Sequence, residues 1–354
     1  MTEQDLSAQL QEQVLQARRD RQKLEIRGGG SKAFYGLQSR PAAQALDLSG
    51  HRGIVNYQPA ELVLTARAGT PLSEIREILA DKKQVLPFEP PTFGESDTLG
   101  GTMACGLSGP ARPFAGSARD HVLGVRLLNG QGQHLRFGGE VMKNVAGYDT
   151  SRLMVGALGT LGVLLELSVK VLPAAAAEQT LIHEHSESDA LIQIERLRGH
   201  YLPISGWCYS EGRSFTRLSG SAENVAAVAR ELGGETLSRA PQRWAELRDH
   251  RLPFFDDPRP LWRLSLPPGT PPLEFSGRQL LDWGGCQRWL LSDADAPLIQ
   301  KTCRERGGHA ELFKASKPEV FQDLDASLTR LHQNIKVSFD PDAIFNPGRI
   351  SADW

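Results

Sequence analysis

Cysteine is scarce, and its placement excludes more than its number does. Cys105, Cys208, Cys286 and Cys303 are the whole complement, and no two form a C-x-x-C pair. An iron–sulfur cluster or a zinc site built from this chain alone is therefore not expected, and no metal site is. Unpaired cysteines without a signal peptide fit a reducing, cytoplasmic setting. Charge of one sign is lacking too. A formal net charge of -2 argues against a nucleic-acid partner, which needs a basic face. Only one stretch, Leu153–Pro173, is apolar enough to raise the question of a membrane span. Glu166, Lys170 and three interior glycines answer it. Its second half also alternates: Val163, Leu165, Leu167, Val169 and Val171 share one face, while Glu166, Ser168 and Lys170 share the other. Such a period of two predicts a half-buried strand.

Glycine is what the chain has in excess. Its 35 glycines are about 10% of 354 residues, against a usual ~7%, and 22 of them precede Pro173. The first half therefore needs many tight turns or close backbone approaches. The densest cluster is "LEIRGGGSKAFYG", Leu24–Gly36, where three glycines stand between Arg27 and Lys32. A P-loop needs G-x-x-x-x-G-K-[ST], and the order Ser31-Lys32 rejects it. Gly28, Gly30 and Ala33 match the Rossmann G-x-G-x-x-G/A, with Asp47 about 20 residues on. Gly36 and Pro41, however, fall inside the helix that fold requires. An anion-binding nest of consecutive N–H groups remains, with Arg27 and Lys32 as flanking cations. Three further clusters, Thr98–Pro110, Ala115–Asp120 and Gly156–Val163, give it companions. Four in one half point to a dinucleotide threaded between backbone segments.

The chain length suggests two domains. A helix with Leu6, Leu10 and Val14 on one face opens the chain. The spacing then predicts strands at Leu24–Arg27 and in "ALDLSG", "GIVNY" and "ELVLTARAG". A helix "TPLSEIREILADKK" follows, with Thr70 as N-cap and Pro71 in the first turn. A hairpin is expected around Asn129-Gly130. Past a linker at Leu172–Thr180, short strands and helices alternate, which suggests an α+β layer of antiparallel sheet and helices. A last helix is expected near Pro318–Lys336.

"IRGGGSKAFYG", "LPFEPPTFG", "TLGG", "GLSGPARPFAG", "RDHVLGV", "MKNVAGYD", "GALGTLGV" and the terminal "FNPGRI" together resemble a known family. It is the PCMH-type FAD-binding family of vanillyl-alcohol oxidase and the D-2-hydroxy-acid dehydrogenases. Within it the chain is similar to the FAD-binding subunits of bacterial glycolate oxidases, in order over nearly its whole length. The resemblance implies an α+β fold: a FAD-binding domain of two α+β subdomains at 1–173, an α+β cap with antiparallel sheet at 174–336, and a segment at 337–354 returning to the FAD site. It implies that Arg27, Gly28, Gly29, Gly30, Ser31 and Lys32 hold the pyrophosphate. Thr98, Gly100 and Gly101 would line the ribityl and pyrophosphate side, Gly116 and Ser117 would sit near the flavin, Gly162 and Val163 would face the adenine side, and Asn346 would close the site. No His or Cys stands out for covalent attachment, so the FAD is expected to be non-covalent.

The same resemblance implies partners: a larger FAD-containing catalytic subunit, an iron–sulfur subunit, and glycolate as the substrate of the complex, which would be cytoplasmic and held at the inner membrane only through its partners. Catalytic members carry a late H-G-E-H-G-type cluster, and this chain has none. His183 and His185 share one strand face, where a solvated face is the plainer reading than a metal. Lys143 and Tyr148, in "KNVAGYD", are the remaining weak catalytic candidates, and Asp149 is read as a helix cap. The expectation is a flavoprotein subunit that works within a complex. A self-sufficient FAD-dependent D-2-hydroxy-acid dehydrogenase and a structural subunit without redox function stand as alternatives.

Overall fold

The computed structural model describes residues 4–37, 43–139, 149–314 and 321–351. The chain divides into two compact units. One comprises Met1–Leu107, Ser117–Pro173 and Asp323–Trp354; the other comprises Ser108–Gly116 and Ala174–Gln322. No helix of the described residues is long and apolar enough to cross a membrane.

The first unit is built on a five-stranded antiparallel sheet. Its order is Ile54–Gln58, Val63–Arg67, Val163–Lys170, Val122–Leu128, His134–Gly138. The expected strand at 163–171 is the middle one, and this corrects its half-buried reading. Six of its eight residues are buried, Ser168 among them, and only Glu166 and Lys170 are partly exposed. Its polar face is matched by neighbours: Ser168 Oγ meets Thr65 Oγ1 at 2.8 Å, and Glu166 lies 3.4 Å from Arg126. Polar side chains in a sheet centre are tolerated when each finds such a partner.

The helix Leu72–Asp81 packs Leu72, Ile75 and Leu79 into this core. Thr70 is not its N-cap. Pro71 holds that position, and Thr70 Oγ1 instead accepts from Gly53 N at 3.0 Å. The expected two-residue turn at Asn129-Gly130 is a longer loop, because Asn129 Oδ1 accepts from both Gln131 N and Gln133 N, and Gly132 takes the left-handed conformation. A separate parallel pair, Leu24–Arg27 with Gln44–Asp47, carries the glycine loop at its end. The last helix runs Ala326–Phe339, later than expected, with Asp325 as its cap.

The second unit is an eight-stranded antiparallel sheet. Its order is Glu235–Thr236, Ala177–Glu184, Arg213–Gly220, Ile204–Ser210, Arg278–Asp282, Gln287–Leu291, Leu261–Ser265, His309–Lys314. Helices Glu187–Arg198, Ala222–Leu232 and Ala296–Glu305 pack apolar residues against it: Leu191 and Ile194, Val225 and Val228, Ile299 and Cys303. The strand Arg278–Asp282 and the helix Ala240–Arg248 were not foreseen. The first is five residues long, and the second buries only Trp244 and Leu247.

His250 follows that helix and is stacked on Phe255 at 4.1 Å, with Trp289 and Phe313 closing the box. Burial pushes its pKa down to about 3. A folded value below the unfolded ~6.5 favours the neutral ring, so the stabilisation is complete above about pH 6.5 and is lost as pH falls towards 3. Between pH 7 and 4.5 this one group should cost about 2–3 kcal/mol. The expected outcome is a urea midpoint that drops over this range in the parent and drops less in His250→Phe.

Candidate functional site

The glycine loop opens on a cavity of about 380 Å³ in the first unit. Its wall contains Arg27, Gly28, Gly29, Gly30, Ser31, Lys32, Thr98, Gly100, Gly101, Gly162 and Asn346. The structure therefore brings these expected residues together from four separate stretches of sequence. Gly116, Ser117 and Val163 do not line it. Ser117 is occupied in a capping box with Asp120, and Val163 is fully buried as the first residue of the central strand. Lys143 and Tyr148 lie outside the described residues. Asp149 does cap the following short helix, accepting from Arg152 N at 3.4 Å.

Glycine is required here for space. A Cβ on Gly29 would run into the carbonyl oxygen of Ser96, and one on Gly28 into Thr98 Oγ1. Gly30 adopts a φ of +74°. Among the described residues, no protein acceptor is seen for the N–H groups of Gly28, Gly29, Gly30, Ser31 and Lys32. Five consecutive donors without a protein acceptor among the described residues have the make-up of an anion-binding nest. Across the cavity, Thr98 caps the helix Leu99–Cys105, accepting from Gly101 N at 3.2 Å. Gly100 N donates to Ala68 O at 2.7 Å, so that helix presses close against the end of the strand Val63–Arg67.

The two cations beside the glycines are already committed. Arg27 pairs with Glu25 at 2.6 Å, and this bond holds its pKa above the ordinary value. Lys32 is buried and pairs with buried Asp97, which also accepts from Ser31 Oγ and, at 3.1 Å, from Phe93 N. Adjacency in sequence does not expose these partners: Asp97 lies 65 residues from Lys32. The pair anchors the loop to the body of the unit.

The far end of the chain closes the wall. Asn346 is buried; its Oδ1 accepts from Ile26 N and its Nδ2 donates to Leu158 O, both at 2.7 Å. Its backbone N donates to Leu24 O at 2.9 Å, in a left-handed conformation that Asn tolerates. Lys336 Nζ hooks the same region, donating to Thr160 O and Phe345 O and pairing with Asp340 at 2.6 Å. Burial pulls its pKa down against that partner.

Sequence reasoning missed Arg349, Cys105 and the apolar floor of Ala68, Ala104, Leu158 and Leu164. "FNPGRI" was the available signal for Arg349. Burial pushes the Cys105 thiol up to about 11, so it is no nucleophile at neutral pH. In the second unit, His183 and His185 stack at 5.6 Å, and His183 Nε2 sits 3.2 Å from Leu232 O. Among the described residues no group of three or more His, Cys, Asp or Glu could hold a metal ion.

Residues 6–138 match the FAD binding domain family. Over 350 residues the chain is 51% identical to "Glycolate oxidase subunit GlcE" of Escherichia coli (strain K12), covering 99% of this chain and 98% of that one. The chain belongs to the GlcE family. This GlcE-family chain is also 29% identical, over 47% of its length and 35% of the other's, to "Glycolate oxidase subunit GlcD" of Bacillus subtilis (strain 168). Its fold is that of alkyldihydroxyacetonephosphate synthase, at a TM-score of 0.67 and 14% identity, over 96% of this chain and 74% of that one. The PCMH-type FAD-binding fold expected from the motifs is thereby found.

Replacing Asn346 by Ala removes the partners of Ile26 N and Leu158 O. The expected loss is about 2–4 kcal/mol of stability, read as a lower urea midpoint. Asp97→Ala leaves Lys32 buried and unpaired and should cost about 3–5 kcal/mol in the same measurement.

Proposed function

We propose that this chain is the GlcE-type, FAD-binding subunit of a glycolate oxidase complex, with FAD held non-covalently in the cavity of the first unit. The observation that carries the reading is the nest of five consecutive amides in a cavity that a FAD-binding-domain match overlaps. The full-length likeness to a glycolate oxidase subunit supplies the substrate. Gly28, Gly29, Gly30, Ser31 and Lys32 would hold the pyrophosphate by backbone N–H groups, with Arg27 beside them. Thr98, Gly100, Gly101, Gly162 and Asn346 would shape the remaining wall. The second unit would serve as the cap.

Bound FAD supplies an acceptor for two electrons. The chain's own residues bind and orient it: the nest meets its negative charge, and Ala104, Leu158 and Leu164 offer apolar surface that excludes water. Oxidation of glycolate to glyoxylate releases two electrons and two protons. No residue of this chain is assigned to take those protons. That step is proposed for a larger FAD-containing partner of the GlcD type, with an iron–sulfur subunit receiving the electrons. All four cysteines are free, which suits a complex working in the cytoplasm.

The test is purification of the chain alone and with its partner subunits, counting flavin per chain. The lone chain is expected to be yellow, to release its colour on denaturation, and not to bleach with glycolate. Bleaching without partners would move the chemistry onto this chain. Gly29→Val is expected to lose the flavin, since its side chain meets the Ser96 carbonyl. A Gly29→Val protein that keeps full colour would put the cofactor elsewhere.

A further inference from the structure

We propose that Arg349 is the residue that supplies positive charge to the cofactor cavity and locks the glycine loop against it. The proposal rests on the reading of the cavity as a FAD site. Three cations line the cavity: Arg27, Lys32 and Arg349. Arg27 is paired with Glu25, and Lys32 with Asp97, so each arrives with a counter-charge. Arg349 is different. Among the described residues its guanidinium donates to neutral carbonyls: Nη1 to Leu37 O at 3.1 Å, and Nη2 to Tyr35 O at 2.6 Å, Ala33 O at 2.9 Å and Lys32 O at 3.5 Å. Among the described residues, no carboxylate stands within ion-pair distance of it. The cavity thus has one wall cation without an ion-pair partner among the described residues, Glu25 acting on it at longer range while bonded to Arg27.

The same contacts make it a positioning residue. Residues 33–37 curl around the guanidinium, and the bond is reciprocal, because Leu37 N donates to Arg349 O at 3.0 Å. Gly36 must be glycine for this curl. Its φ is +90°, and a Cβ there would lie 3.1 Å from Arg349 O and 3.3 Å from Arg349 Nε. Asp97 grips the loop at Lys32, and Arg349 grips it from Lys32 to Leu37, so the amides of the nest lie on a segment fixed from two sides. Lysine can carry the charge but cannot reach four carbonyls with one planar fork. The two roles are therefore separable.

The experiment titrates FAD into the full chain stripped of flavin, at 20 and 500 mM NaCl, for the parent, Arg349→Met and Arg349→Lys. Inorganic pyrophosphate is titrated in parallel. Arg349→Met is expected to weaken FAD by about 10- to 100-fold and to flatten the salt dependence. Arg349→Lys should bind FAD more weakly than the parent yet keep the parent's salt dependence. A loop role alone would lower affinity in both variants without changing the salt dependence, and that result overturns the charge assignment. Parent-like affinity and salt dependence in Arg349→Met overturns the whole proposal. If Arg349→Met does not fold, Arg349→Lys decides: loss of the salt dependence in it counts against the charge role. A parent chain that takes pyrophosphate through Arg349 but not FAD would sink the FAD reading and keep this one. A parent chain that takes neither sinks both.

Discussion

One side-chain amide joins the two walls of the cavity. Asn346 accepts from the strand that carries the glycine loop in a partly buried bond and donates to the loop that faces it in a buried one. Those two segments are not neighbours in any sheet, so this carboxamide is a direct bridge between them. The hooks around it make sense as support. Lys336 and Asp340 fix the turn that leads to Asn346, spending a buried ion pair on geometry where apolar packing would have left the chain free to slide.

Charge in the first unit follows a consistent rule. Several buried or half-buried cations have a carboxylate at hand: Lys32 has Asp97, Lys336 has Asp340, Arg126 has Glu166. Buried Asp97 and Asp340 accept backbone N–H groups as well. Such pairs neutralise one another and stiffen the segments they bridge. Attraction for an anion is then left to backbone dipoles and to Arg349, which has carbonyls for company.

The glycine loop was legible in the sequence because its chemistry is in the backbone. Three glycines in a row after a short strand limit the readings, and the companion clusters at Thr98–Pro110 and Gly156–Val163 narrowed them further. What the side chains beside the loop do was not legible. Lys32 next to glycine reads as a phosphate ligand, while its partner Asp97 is brought in by folding. The strand at 163–170 was recognised by its alternation, yet its exposure was misjudged, since Arg126 and Thr65 come from strands elsewhere in the chain. The missed strand Arg278–Asp282 is short and ends at "WGGC", where glycine masks any period. Arg349 was overlooked although it stands in "FNPGRI", because the carbonyls it grips belong to residues 32–37, over 300 positions away.

The order of segments along the chain has a consequence for how the protein is made. The first unit is begun by residues 4–107 and finished by residues after 323, with the second unit synthesised in between. A ribosome must therefore complete the second unit before Asn346 and Arg349 can reach their partners. Until then the glycine loop and the segment from Gly156 exist without the piece that spans them. A chain cut before Asn346 would keep the strands of both sheets but lack the carboxamide that bridges the two cavity walls.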